Sequence, residues 1–303
     1  MNSFIQQLLN SDKRIAIPIM THPGIEAIGK NVIDAVTDGE VHYQAIKNVT
    51  ETYDTTACTV IMDLTVEAEA FGCAISMPEH EVPSVTGRLV CDEESVNRLQ
   101  VPSLSAGRMP EYLKANRLAV ENIKDKAVLS GCIGPFSLAG RLYDMSEIMV
   151  GIYIEPDVIK TLLDKCTEYI TLYCKELKAI GATGVIMAEP AAGLLSNEDC
   201  LEYSTVYVKR IVEAVQDDNF TVVLHNCGNK GHCTQAMIDS GAAALHFGNA
   251  VNMVETLEQC PSNLVVMGNI DPVGILKQAT PEEVYRITAD LLAKTAQYKN
   301  FVI

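Results

Sequence analysis

Apolar and polar residues follow two rhythms along this chain. Short runs rich in Val, Ile and Leu, each bounded by turn residues, recur eight times: 15–20 (IAIPIM), 57–63 (ACTVIMD), 127–133 (AVLSGCI), 184–189 (GVIMAE), 220–227 (FTVVLHNC), 243–248 (AALHFG), 264–269 (LVVMGN) and 299–303 (KNFVI). Their length and composition predict buried strands. Between them, 155–181 and 196–216 place apolar residues every three or four positions with polar residues opposite, the period of a half-buried helix. The segment 281–297 opens with Pro281 followed by two acids, as helix starts do. Strand and helix alternating in this way predict an α/β chain folded as a (β/α)8 TIM barrel.

No Ser/Gly linker or shift of composition divides the chain, so residues 1–303 are expected to form one barrel domain, with an insertion after the second strand at about 76–106. Such a segment either covers the mouth of the barrel or lies over the surface as a solvated loop. The sequence ends at Ile303, inside the eighth predicted strand. A barrel needs a helix after that strand, which leaves two expectations: further chain beyond Ile303, or an atypical eighth element.

Composition narrows the partners. With 48% hydrophobic and 20% charged residues over 303 positions, the chain can bury a large core. A formal charge of −16 repels nucleic acid and anionic membranes, so small molecules and proteins are the expected partners. The N-terminus lacks the pattern of a signal peptide, and charges interrupt every apolar run before it reaches spanning length, which predicts a soluble, cytoplasmic protein. The ten cysteines are scattered, as reduced core thiols would be.

In a barrel of this kind, chemistry gathers at the C-terminal ends of the strands. VVLHNCGNKGHC (222–233) sits at such an end. Side chains two apart on a strand share a side, so His225 and Cys227 are expected to face one way. An imidazole and a thiol presented together suit zinc; equally, they suit an ordinary packed pair in the barrel lining. His232 and Cys233 either add two ligands to a closed local site or begin the next helix, and the spacing is not that of a zinc finger or ribbon.

Other strand ends offer Asp63, followed by Glu67 and Glu69; Glu189, a third metal ligand or a partner for His225; His246; and Asn269 with Asp271, which also reads as a turn or helix cap before Pro272. Met20, Met62, Met187 and Met267 lie near four strand ends, as core filler or as a soft rim. In GPFSLAGR (134–141), the backbone amides and Arg141 offer a place for an anion at a helix start, although Arg141 also reads as a surface ion-pair residue.

The segments MDLTVEAEAFG (62–72), GPFSLAGRL (134–142), MAEPAAGLLS (187–196), LHNCGN (224–229) and MGNIDPVGIL (267–276), in this order, resemble the uroporphyrinogen decarboxylase superfamily. Within it, the chain is similar to the branch of cobamide-dependent methyltransferases. The resemblance implies a single barrel with zinc at its mouth, bound by His225 and Cys227 of an H-x-C-G motif. It implies methyl transfer from a methylcobamide, brought by a corrinoid carrier protein, to a thiol such as coenzyme M. In that branch a further ligand is a cysteine after the last strand, a role no residue of this sequence takes. Asp63 and Glu189 are then the catalytic acids, with Arg141, His246, Asn269 and Asp271 around the substrate. The alternatives are a metal-free, decarboxylase-like lyase, a metal-dependent lyase or hydrolase on the same barrel, or a non-catalytic partner of a corrinoid protein. An eightfold carboxylate substrate asks for an arginine-rich cleft, whereas the segment after Arg14 (IAIPIMTHPGIEAIGKN) holds no arginine.

Overall fold

The computed structural model describes residues 2–19 and 22–303. Among the described residues there are nine strands: β1 (Ala57–Thr59), β2 (Ala74–Ser76), β3 (Ser84–Thr86), β4 (Ala127–Ile133), β5 (Gly184–Ala188), β6 (Thr221–Asn226), β7 (Ala244–Phe247), β8 (Val265–Met267) and β9 (Phe301–Val302). Seven of them form one parallel sheet in the order β1–β4–β5–β6–β7–β8–β9, and β2 and β3 form a separate antiparallel hairpin. The extended segment 15–19 lies between the two edges of the sheet. Ile17 N–H donates to Ile303 O (2.8 Å), Ile303 N–H to Ile15 O (3.0 Å) and Thr56 N–H to Ala16 O (3.2 Å), which joins the sheet into a ring. Pro18 has no N–H to continue that ladder. Of the first predicted strand, Met20 lies outside the described residues.

Alternation along the strands sorts the core into two compartments. Val222, Leu224, Leu245, Phe247 and Val266 face the surrounding helices. Leu129, Ile186, Val223, Ala244, Val265, Met267 and Val302 fill the inside of the ring together with Phe4, Ile5 and Leu8 of the first helix, Ser3–Leu9. Asn2 caps that helix, its Oδ1 accepting from Phe4 and Ile5 N–H, and its Nδ2 donates to Asp217 O just ahead of β6. The helix therefore plugs the ring at the N-terminal ends of the strands. Arg14 ties the same end shut by donating to Thr295, Tyr298 and Phe301 carbonyls.

The helix Pro156–Ile180 shows how the sequence builds the outer layer. Proline stands in its first turn, Gly181 ends it at φ 100°, and Ile159, Leu162, Leu163, Cys166, Tyr169, Ile170, Tyr173, Cys174 and Leu177 form one buried stripe. Two helical expectations change in detail. The segment 196–216 is interrupted by a π-helical turn at Leu201–Thr205, between helices Asn197–Cys200 and Val206–Val215. His232 does not begin a helix: the helix is Thr234–Asp239, and Cys233 is its buried N-cap. The region 76–106 holds β3 and the helix Glu93–Arg98, and is tied to the barrel where Leu89 and Val90 N–H donate to Leu142 O.

Candidate active site

His225 and His246 occupy paired positions of β6 and β7, one inward step beyond Val223 and Ala244. Both imidazoles thus point along the inside of the ring toward its C-terminal mouth. Their Nδ1 atoms meet at 2.7 Å, with ring centroids 4.6 Å apart and planes 72° to one another. Burial, partly offset by the His246 carbonyl, pushes His225 down to about 4. Burial and the neighbouring ring push His246 well below its ordinary value. Both rings are neutral at pH 7, and no side-chain partner reaches Nε2 of either among the described residues.

Cys227 stands in the turn just past β6 and is exposed. Among the described residues its thiol has no partner beyond its own backbone, and burial of part of the side chain raises its pKa. Two asparagines fix this turn. Asn226 Oδ1 accepts from Gly228 and Asn229 N–H (3.1 and 3.0 Å), and Asn229 Oδ1 accepts from Gly231 and Cys233 N–H (2.8 and 3.1 Å). Such local bonds hold a chain reversal without a ladder. A side chain at Gly228 would collide with Pro190 O, so only glycine lets the turns after β5 and β6 touch. His232 and Cys233 turn toward that neighbour: His232 Nε2 lies 3.0 Å from Leu195 O, and Cys233 Sγ donates to Leu195 O at 3.5 Å.

Glu189 departs from the metal-ligand expectation. Its backbone N–H donates to His225 O, but its side chain lies on the N-terminus of helix Pro135–Tyr143. Oε1 accepts from Ser137 N–H (2.6 Å) and Ser137 Oγ–H (2.7 Å), and Oε2 from Phe136 N–H (3.2 Å). A side chain at Gly134 would collide with this carboxylate. The anion received by GPFSLAGR is therefore this carboxyl, and His246, not Glu189, is the partner of His225. Burial pushes Glu189 up to about 7 against the hydrogen bonds of Ser137 and Phe136. Among the described residues, no three His, Cys, Asp or Glu side chains are grouped to hold a metal ion. His225 and Cys227 remain a pair of donors suited to zinc: a neutral imidazole with an unpartnered nitrogen, and a thiol two residues on.

Asp63, just past β1, is buried and fully bonded. Its Oδ1 accepts from Thr65 N–H (2.8 Å), Thr65 Oγ–H (3.1 Å) and Val66 N–H (3.1 Å); its Oδ2 accepts from Tyr112 O–H (2.7 Å) and from Arg108. Burial alone would raise its pKa, but Arg108 and these bonds outweigh it and hold the carboxylate below its usual range. Arg108 also donates to Glu69 (2.6 Å), Val36 O (3.1 Å) and Thr65 Oγ1 (2.9 Å). The sequence reading missed Arg108 and Tyr112; the only signal was an acid at a strand end, which a buried charge must match.

Glu67 is buried four residues on. Ile133 N–H donates to its Oε1 (2.9 Å), Oε2 has no partner, and burial pushes the acid up to about 7. Arg141 is partly buried, and its guanidinium makes no hydrogen bond or ion pair among the described residues; burial lowers its pKa against the fields of Glu67 and Asp63. It is not the surface ion-pair residue its sequence position also allowed. Asn269 donates to Gly248 O (3.0 Å) and Val251 O (2.9 Å), joining the turns after β7 and β8. Asp271 caps the π-helical turn Pro272–Lys277, accepting from Val273 and Gly274 N–H. Among the described residues no helix is long and apolar enough to cross a membrane.

Comparison with known proteins follows this layout. The family model for uroporphyrinogen decarboxylase (URO-D) matches residues 14–303. Methylcobamide:CoM methyltransferase MtbA of Methanosarcina mazei is 32% identical over 232 residues, covering 75% of this chain and 68% of the relative. A uroporphyrinogen decarboxylase of Psychromonas ingrahamii is 26% identical over 252 residues, covering 80% and 70%. The solved structure of a methyltransferase from Methanosarcina mazei superposes with a TM-score of 0.89 at 22% identity, over 99% of this chain and 90% of that one, which agrees with a TIM-barrel fold. With nearly the whole sequence matched, the chain belongs to the uroporphyrinogen decarboxylase (URO-D) family, in its methyltransferase branch.

Proposed function

We propose that the protein moves a methyl group from a methylcobamide, delivered on a corrinoid carrier protein, to a small thiol held at the mouth of the barrel by a zinc site that includes His225 and Cys227. The observation that carries this reading is the donor pair at the end of β6, a neutral imidazole whose Nε2 meets no side chain among the described residues and an exposed thiol, in a chain whose relatives include methylcobamide:CoM methyltransferases. Zinc held by these two side chains would lower the pKa of the acceptor thiol, supplying a thiolate at neutral pH.

The chain's own residues do the rest. Asn226 and Asn229 fix the turn so that Cys227 stays beside the strand that carries His225. The acceptor thiol gives its proton to water at the open mouth. Its sulfur then bonds to the methyl carbon as the cobalt–carbon bond breaks, the bonding pair remaining with the corrinoid. Arg141, a partly buried cation without a carboxylate partner, receives an acidic group on the acceptor. Asp63 and Glu189 act by position: the first locks Arg108 and Tyr112 behind the end of β1, and the second fixes the helix after β4. Asn269 and Asp271 shape the opposite wall.

Two measurements test this. Purified protein is expected to hold about one zinc per chain, most of it lost in Cys227→Ala, and to demethylate methylcobalamin only when a thiol is supplied. Metal-free protein that decarboxylates a porphyrinogen, or that binds a corrinoid protein without thiol-dependent demethylation, overturns the proposal.

A further inference from the structure

The histidine pair suggests a step beyond the zinc reading, on which this inference rests for its direction. Two neutral imidazoles whose Nδ1 atoms meet at 2.7 Å share one proton between them. One ring must be the Nδ1–H donor, and the other must present a bare Nδ1 and carry its own proton on Nε2. The two sites are not interchangeable. His225 shares its strand end with Cys227, whereas His246 on β7 is followed by Phe247 and Gly248, neither of them a ligand.

We propose that His246 is a positioning residue whose Nδ1 accepts the Nδ1–H of His225, which locks His225 in the tautomer that presents a bare Nε2 beside Cys227. Imidazoles that ligate metals commonly donate their other ring N–H to a carboxylate or a carbonyl, and that second bond fixes ring orientation and tautomer. Here a second imidazole does this from the neighbouring strand, in the register His225–His246. Because the acceptor is neutral, the pair adds no negative charge at the mouth. The cross-strand bond also stops the His225 ring from turning about its own side-chain axis.

The experiment begins with metal-free wild-type protein labelled with 15N-histidine, whose ring-nitrogen shifts report where each proton sits, with His246→Asn used for assignment. We expect His225 protonated on Nδ1 and His246 on Nε2; the reverse arrangement overturns the proposal whether or not zinc binds. Zinc affinity is then measured by competition with a chelator. His246→Phe, which keeps the ring volume but has no acceptor, is expected to bind about 10–100-fold more weakly. His246→Asn, whose Oδ1 accepts the same bond, is expected to recover most of that loss. Wild-type affinity in His246→Phe overturns the positioning role. A wild-type protein that binds no zinc overturns the proposed function instead, and the ring-nitrogen shifts still decide the pairing.

Discussion

The ends of β1 and β6 are both polar, and they are built to opposite plans. At β1, Asp63 accepts five hydrogen bonds, and the Arg108 side chain spends its donors on two carboxylates, a carbonyl and a hydroxyl. At β6, among the described residues, the His225 side chain has one partner and the Cys227 thiol has none outside its own backbone. A saturated network resists change, because each member left alone would be a buried charge or an unpaired donor. A strand end with unspent lone pairs is where an incoming group can bind without first breaking anything.

The contrast is broken most severely at the saturated end. Arg108→Ala leaves Asp63 buried without its counter-charge and is expected to cost about 3–5 kcal/mol in denaturant unfolding; a loss under about 1 kcal/mol would show that the network is ornamental. Next come the two raised carboxyls. Glu189 and Glu67 each stand at about 7 against an ordinary 4.5, so folding favours their protonated forms. Their stabilisation is full below pH 4.5 and is lost as pH rises through 7, about 3 kcal/mol for each group. Glu189→Gln should flatten that part of the stability–pH curve. His42, lowered to about 4 by burial, acts in the opposite sense, its contribution present above pH 6.5 and lost toward pH 4. The comparison should therefore be made between variants and not from the wild-type curve alone.

The open end predicts a different signature. Cys227→Ala should leave unfolding within about 0.5 kcal/mol of wild type, as exposed positions do, while thiol-dependent demethylation falls by about 100-fold, or about 2.7 kcal/mol of barrier. A large stability loss with activity retained would place Cys227 among the structural thiols. The smallest expected effect is at Ser137, whose hydroxyl donates to Glu189 and accepts from Ala191 N–H. Ser137→Ala should cost about 1 kcal/mol and raise the Glu189 pKa further, readable in the same pH series.

The same division explains what could be read from the residues in order. The strands of the barrel were legible because each is a short β-rich run between turn residues, and β4 matches its predicted bounds of 127–133 residue for residue. His225 and Cys227 were legible because they close such a run. The partners were not. Arg108 lies 45 residues from Asp63, beyond the hairpin and two short helices, and Ser137 lies 52 residues before Glu189. Nothing local distinguishes an acid that will meet a buried arginine or a helix N-terminus from one that will meet a metal. The His225–His246 bond is intermediate: both residues follow inward-facing Val223 and Ala244 by two, but their nearness depends on the register of β6 with β7, which the pattern of either strand leaves open.

The first helix, folded into the base of the ring with Phe4, Ile5 and Leu8 against the inner side chains, makes the barrel a blind well. The floor of the ring is thus spent on packing, and a group that reacts beside His225 approaches from the side on which the strands end.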